Sequence, residues 1–338
     1  TKLHPIPIAD LIRDNPTLHE PIIDGLIRRK ETGNLIAASK EGKSWLMYHI
    51  GLSVATGLPL FGHETILGRV LLVDNELHKP TIAKRIPTVA DALQLRQKDY
   101  ADSFDVLPVR GKNVDLHDVT EIVERCEAGR YDLIIADAFY RFLPAGVSEN
   151  DNQHIMSLFN RLDACNEKTG AAWLNVHHAS KGSQGGKSVT DTGAGAGSQS
   201  RAADAHIVLR EHEEPGVYVL DAAVRSFPPI DPIALRFVFP LWEQVEGVET
   251  EKLKGRLNKQ EQRQIERDRE GMEEIMAVLK DGPATPKAIT RATAMGTGRR
   301  DKLLARLIRD QRIEARQAII RGNETTEYLL RVTEQRTT

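Results

Sequence analysis

The sequence contains few cysteines, few aromatic residues and no long apolar runs. Among its 338 residues are only Cys126 and Cys165, which cannot build a disulfide framework and whose separation matches no metal-ligand spacing. No apolar run reaches the ~20 residues that span a bilayer, and Thr1–Asp10 lacks the charged and apolar regions of a signal peptide. We therefore expect a cytoplasmic protein with reduced thiols and no membrane partner.

The charge is balanced over the whole chain but not along it. The 46 basic and 48 acidic residues give a net charge of −2. From Glu251 onward 20 basic residues accompany 14 acidic ones, so this tail carries +6 and the preceding residues carry −8. Hydrophobic residues make up 40%, enough for a folded core, and the length suggests about two domains. A basic tail on an acidic body is typical of an interaction module for anionic partners.

Apolar runs alternate with stretches of helical spacing over the first two thirds of the chain. The runs predicted as buried strands are Asn34–Ala37, Val70–Val73, Asp132–Ala136, Ala172–Val176 and Ala205–Leu209. The intervening predicted helices include Ser44–Val54, Thr81–Leu95 and Asn152–Glu167. Such alternation indicates an α/β fold with a mostly parallel sheet. Two further runs, Val217–Ala222 and Ile233–Phe239, look like antiparallel additions.

The strongest chemical signal is the segment Ala37–Ser44, which follows a predicted strand and opens a predicted helix. It fits the phosphate-binding pattern G-x-x-x-x-G-K-[ST], except that Ala37 replaces the first glycine. Backbone N–H groups and the helix N-terminus form an anion site, to which Lys43 adds a positive charge. The residues predicted to bind ATP are Ala38, Ser39, Lys40, Glu41, Gly42, Lys43, Ser44 and Trp45.

Carboxylates follow two other predicted strands. Asp137 ends an apolar strand in the Walker-B arrangement, and we predict that it holds Mg²⁺ through a water, together with the Ser44 hydroxyl. Hydrolysis also needs a carboxylate that orients water near the terminal phosphate. We predict Glu76 for this role, with Asp74 as the alternative.

The order of these pieces resembles the RecA-like ATPases, in particular the hexameric RepA-type plasmid helicases and their DnaB relatives. The match rests on Leu35–Ser44, Val70–Glu76, Leu133–Asp137, His177–Gly182 and Ala223–Arg225, and it covers residues 22–239. The resemblance implies an AAA-type ATPase domain in which His178 senses the γ-phosphate, with His177 as the alternative. The histidine pair has no third metal ligand at a convincing spacing, although a structural role at a strand end stays open.

The resemblance also implies that Arg225 reaches the ATP of a neighbouring subunit as an arginine finger. DnaB-like helicases usually carry a lysine two residues earlier, where this sequence has Ala223. Arg201 is the alternative finger, and a plain surface role for Arg225 also stays open.

Two loops would face the channel of such a ring, namely Pro144–Asn152 and the glycine-rich Lys181–Ser200. Lys181 and Lys187 suit contacts with the phosphates of single-stranded DNA. Neither loop contains a base-stacking aromatic residue, so we expect an electrostatic, sequence-independent grip. The alternative is a linker without a DNA role.

The tail resembles a winged helix, with three short helical patterns followed by a hairpin around Gly322–Asn323. The predicted domains are an ATPase domain (1–245), a charged linker (246–270) and a winged-helix-like domain (271–338). The third helix would present Arg299 and Arg300 to DNA, although many winged helices bind protein instead.

Together these patterns predict a RecA-like P-loop core and ATP hydrolysis coupled to DNA, with ATP and Mg²⁺ as ligands. The expected form is a plasmid- or phage-type replicative helicase that acts as a hexameric ring on single-stranded DNA. The alternatives are a recombination or repair ATPase of the RecA or RadA kind and an ATP-gated DNA-binding regulator.

Overall fold

The computed structural model describes residues 4–38, 41–179, 186–193, 202–255, 259–310, 312–320 and 323–330. These residues form two compact units, 1–256 and 257–338, with a division that lies inside the segment 246–270. In the first unit, residues just before the division still belong to the larger body, because Lys254 pairs with Glu211 at 2.6 Å. Among the described residues, no helix combines the length and the apolar character needed to cross a bilayer.

The first unit alternates strands and helices. Its strands are β1 (Pro21–Ile23), β2 (Ile27–Arg28), β3 (Thr32–Ala37), β4 (Val70–Asp74), β5 (Phe104–Pro108), β6 (Leu133–Asp137), β7 (Ala172–His178), β8 (Ala205–Glu211), β9 (Val217–Val224), β10 (Ile233–Val238) and β11 (Leu241–Gln244). Its helices are α1 (Ile8–Asp14), α2 (Lys43–Thr56), α3 (Lys79–Ala92), α4 (Gln97–Tyr100), α5 (Leu116–Glu124) and α6 (Asn152–Thr169), with a 3₁₀ turn at Phe139–Phe142.

Nine of these strands form one sheet in the order β11-β10-β9-β8-β3-β7-β6-β4-β5. The six strands from β8 to β5 in this order are parallel to their neighbours. Strands β9, β10 and β11 extend the sheet antiparallel. The prediction of a mostly parallel α/β sheet is confirmed.

The sheet lies between two apolar clusters, which explains why its central strands are continuous hydrophobic runs. One cluster joins the sheet to α2 and α3, through residues such as Leu46 and Ile82. The other joins it to α5 and α6, through residues such as Val119 and Leu162. Strands β3, β4 and β6 are buried along their whole length.

Strand register brings the chemically important strand ends together. Ala37 of β3 pairs with His178 of β7, and Asp74 of β4 pairs with Asp137 of β6. Because the carboxyl ends of parallel strands share one edge of the sheet, these ends and the start of α2 surround one cleft.

The second unit contains three helices followed by a hairpin. Helices α7 (Lys259–Lys280), α8 (Pro286–Thr293) and α9 (Thr297–Arg309) precede strands β12 (Ile313–Ile320) and β13 (Asn323–Leu330), which pair antiparallel. Thr285 caps α8 by accepting a hydrogen bond from the Ala288 N–H at 3.3 Å. Ile275, Ile289 and Leu303 form the core. The winged-helix assignment of this unit stays a prediction.

Candidate nucleotide-binding site

The phosphate-binding segment lies between β3 and α2. Gly42 precedes the helix with φ +74° and ψ 15°, a left-handed conformation that costs glycine little. No side chain caps the first turn of α2, so its N–H groups face the cleft. Among the other predicted ATP-binding residues, Ser39 and Lys40 lie outside the described residues. The Glu41 carboxylate accepts a hydrogen bond from the Ala38 N–H at 3.2 Å.

The Lys43 side chain is buried in the floor of the cleft. Its Nζ donates to the carbonyl oxygen of His177 at 3.2 Å and lies 3.4 Å from Nδ1 of His178. Burial lowers the pKa of Lys43, while the nearby carboxylates of Asp137, Glu76 and Glu149 oppose this shift. The ammonium group is therefore held by β7 in the position where phosphate charge would be neutralised.

Asp137 is a buried carboxylate whose two oxygens have no hydrogen-bond partner among the described residues. Burial raises its pKa to about 7, against the attraction of Lys43. Burying a carboxylate without partners is costly, and a cation is the usual compensation. The Ser44 hydroxyl lines the same cleft. These two oxygen donors fit the predicted Mg²⁺ site.

Asp74 and Glu76 have different environments, although they are two residues apart. One oxygen of Asp74 accepts hydrogen bonds from the backbone N–H groups of Glu76 at 2.8 Å and Leu77 at 2.7 Å. Asp74 is fully buried, and burial raises its pKa. Glu76 lines the cleft, so Asp74 fixes the turn that presents Glu76.

The Glu76 carboxylate is ionised and surrounded by donors. Its Oε1 accepts a hydrogen bond from the Tyr140 hydroxyl at 3.1 Å and lies 3.9 Å from Nε2 of His178. These neighbours, His178 first and then Tyr140, lower the pKa of Glu76 to about 2, with a further contribution from Lys43. A carboxylate in this state can orient a water molecule at neutral pH.

His178 lies between Lys43 and Glu76. Because the Lys43 ammonium can only donate, Nδ1 of His178 has to accept, and the ring proton of the neutral form is then on Nε2, toward Glu76. His177 lies on the other side of β7, as strand alternation requires, and its ring is 4.4 Å from that of Phe139. Burial lowers the pKa of His177 to about 3, so this ring is neutral and does not reach the cleft.

The cleft has a volume of about 240 Å³. Its walls are formed by Gly42, Lys43, Ser44, Trp45, Glu76, Arg85 and His178. Arg85 and Tyr140 were not predicted from the sequence, because neither belongs to a motif. The Trp45 ring at the mouth is 5.0 Å from the ring of Phe239, whose residue surface is 65% exposed.

A buried tryptophan from the antiparallel part of the sheet supports the phosphate-binding segment. The indole N–H of Trp242 on β11 donates to the carbonyl oxygen of Gly42 at 3.2 Å. A Cβ atom on Gly42 would lie 3.0 Å from Cζ2 of Trp242. The two residues are 200 positions apart, and nothing in the sequence around Trp242 signals this contact.

Arg225 does not join the cleft of its own chain. It follows β9, whose Val224 pairs with Ala205 at the start of β8, whereas Leu209 further along β8 pairs with Ala37. Arg225 therefore lies at the opposite edge of the sheet, where its guanidinium contacts Asp204 at 3.4 Å. The alternative finger Arg201 lies outside the described residues.

The predicted DNA contacts are described only in part. Lys181 lies outside the described residues, and the carbonyl oxygen of Lys187 accepts a hydrogen bond from Arg210 at 3.0 Å. In the second unit Arg299 is exposed. Arg300 instead donates to the carbonyl oxygen of Pro286 at 3.1 Å and to the Thr290 hydroxyl at 2.7 Å, with its side chain only 11% exposed. The Arg300 guanidinium thus holds α9 against α8 and is poorly placed to contact DNA.

The fold and the cleft define a RecA-like P-loop ATPase. Residues 2–184 match the AAA domain family, and the chain belongs to this family. A solved structure of similar fold is the ATPase domain of a helicase, with a TM-score of 0.51 and 12% sequence identity. The alignment covers 71% of this chain and 96% of that domain. No curated protein matches the chain.

Proposed function

We propose that this protein couples ATP hydrolysis to DNA as a replicative helicase of the plasmid or phage type. The observation that supports the chemistry best is the meeting of buried Lys43, unpartnered Asp137 and ionised Glu76 at one edge of the sheet. The resemblance to RepA and DnaB ATPases supports the coupling to DNA. In this proposal the chain forms a homohexameric ring on single-stranded DNA.

The residues of the cleft divide the work of phosphoryl transfer. The N–H groups at the start of α2 and the Lys43 ammonium hold the phosphates of ATP. Ser44 and Asp137 would hold Mg²⁺, which supplies neutralisation of phosphate charge when bound. Glu76 orients the attacking water, and its low pKa of about 2 keeps it ionised across the physiological range.

His178 links the nucleotide to the proposed DNA-binding loop. A terminal phosphate competes with His178 for the Lys43 ammonium, because both lie on the same side of the cleft. The next residue, Ala179, donates its N–H to the carbonyl oxygen of Ala37 at 2.9 Å and bridges to Gly193. Movement of His178 therefore acts on the first residue before the Lys181–Ser200 loop.

The position of Arg225 favours action on a neighbouring subunit. It lies at the sheet edge away from its own cleft, on an exposed guanidinium held by Asp204. In a ring, this edge would face the nucleotide of the adjacent copy, where a guanidinium neutralises charge on the transferred phosphoryl group.

The central experiment is ATP turnover by Lys43→Ala, with the exposed Lys84→Ala on α3 as the matched control. Lys43→Ala should abolish turnover with an unchanged circular dichroism spectrum, and Lys84→Ala should retain it. Full turnover by Lys43→Ala would rule out the phosphate-binding assignment.

Ring assembly and strand separation are tested separately. Mixing Arg225→Ala with Lys43→Ala subunits should restore part of the turnover at mixed interfaces, whereas no recovery would contradict a finger in trans. ATP-driven separation of a forked duplex distinguishes the helicase from a repair ATPase, which would bind single strands without separating them. Sequence preference carried by the second unit alone would favour a regulator.

A further inference from the structure

Arg85 introduces a second cation into the nucleotide cleft. It extends from α3, whose apolar residues Ile82 and Ile86 pack into the core on either side of it in sequence. Its guanidinium carbon lies 5.0 Å from the centre of the Trp45 ring, in cation–π geometry. The side chain lines the cleft together with Lys43, Glu76 and His178.

The charge of Arg85 is not matched by a carboxylate. Within the part of the chain that the structure describes, no carboxylate lies at ion-pair distance from its guanidinium. Other partly buried arginines differ in this respect, since Arg29 pairs with Asp132 and Arg161 with Glu124. Arg85 does act at longer range on Asp74 and Asp137, whose pKa values it lowers against the effect of burial.

We propose that Arg85 is a phosphate ligand of the same subunit and that its guanidinium binds the terminal phosphate of ATP. This inference rests on the proposed function. A guanidinium without a carboxylate partner, held on an aromatic face inside an anion-binding cleft, has the planar donor geometry that suits phosphate oxygens. The same cleft presents Glu76 and His178, so the group that Arg85 meets there is the one where hydrolysis occurs.

The role differs from that of Lys43 in a way that affinity can measure. Lys43 and the N–H groups of α2 contact phosphates that ATP and ADP share, whereas a ligand of the terminal phosphate matters only for the triphosphate. Loss of Arg85 should therefore change the ratio of the two affinities more than the affinity for ADP.

The test is calorimetric titration of the full chain with the Mg²⁺ complexes of AMP-PNP and ADP. Arg85→Ala should weaken AMP-PNP binding about 10- to 100-fold, the range for a lost charge-assisted hydrogen bond, and ADP binding less than about 3-fold. Arg85→Lys, which keeps the charge without the planar fork, should lie in between. Arg96→Ala, at an exposed arginine that pairs with Asp99, serves as the control.

An equal loss for both nucleotides, or no loss for either, would overturn the role of Arg85. Melting temperatures of the variants reveal whether a loss comes from damaged packing, and Arg85→Lys then decides the question, since it preserves the stem against Trp45. These results are separable from a failure of the proposed function. In that case the unaltered protein would bind neither nucleotide, and Lys43→Ala would change nothing.

Discussion

Gly42 should be unusually intolerant of a methyl group, and Gly57 provides a matched control. The two glycines flank α2, and both are left-handed, with φ +74° and ψ 15° for Gly42 and φ +70° and ψ 21° for Gly57. Alanine at either position has to adopt a left-handed conformation, which costs roughly 1–2 kcal/mol. This part of the penalty is common to both substitutions.

The surroundings of the two positions differ. A Cβ on Gly42 would meet Cζ2 of Trp242 at 3.0 Å, and Trp242 is 2% exposed and belongs to the core. The nearest atom to a Cβ on Gly57 is Cβ of Leu67 at 3.4 Å, an ordinary contact with a residue that is 74% exposed. Overpacking a core costs about 1–3 kcal/mol, so Gly42→Ala should lose roughly 2–5 kcal/mol and Gly57→Ala roughly 1–2 kcal/mol.

Urea unfolding followed by tryptophan fluorescence measures this difference. The three tryptophans, Trp45, Trp173 and Trp242, all lie in the first unit, so the signal reports on that unit alone. Trp242→Leu should relieve the crowding, and a double-mutant cycle should therefore find Gly42→Ala less costly in that background. Equal losses for Gly42→Ala and Gly57→Ala, or strict additivity with Trp242→Leu, would refute the proposed contact.

Three further predictions concern other parts of the first unit and its boundary. Asp74→Ala should lower ATP turnover by removing the acceptor for the Glu76 and Leu77 N–H groups, whereas Asp74→Asn should retain much of it; equal turnover by the two variants would contradict this role. Burial lowers the pKa of His49 to about 4 from 6.5, so the unfolded chain binds a proton that the folded chain rejects. Stability should therefore fall as the pH drops from 6.5 to 4, by up to about 1.4 kcal/mol per pH unit, and urea titrations of His49→Leu should show a shallower fall. Ending the chain after residue 256 should spare ATP turnover and weaken duplex binding in a fluorescence-anisotropy assay, whereas undiminished binding would make the second unit a protein-contact module.

The sequence was most informative where a buried strand carries polar residues at its end. Asp74, Asp137 and His178 were predicted as site residues or alternatives because parallel strands buried on both faces read as uninterrupted apolar runs. Their meeting follows from the shared edge of the sheet. The edge strand β5 is only partly buried, so it has no such run and was not predicted.

Side chains that enter the site from elsewhere could not be predicted in this way. Trp242 reaches Gly42 across 200 positions, and only the order of the antiparallel strands brings the two together. Arg85 follows the ordinary spacing of an amphipathic helix, where a basic residue reads as solvent-exposed. Arg300 misled the prediction for a related reason, because helical spacing alone does not reveal that its guanidinium turns back onto α8.

The central strand β3 connects the two edges of the sheet mechanically. At one end Ala37 leads into the phosphate-binding segment, and at the other the Thr32 N–H donates to Asp204, the residue that holds Arg225. Six residues in extended conformation span about 20 Å, and every one of them is buried. In the proposed ring, a displacement of the phosphate-binding segment would travel along this strand as along a pushrod, so that each subunit transmits the state of its own nucleotide to the guanidinium it offers to its neighbour.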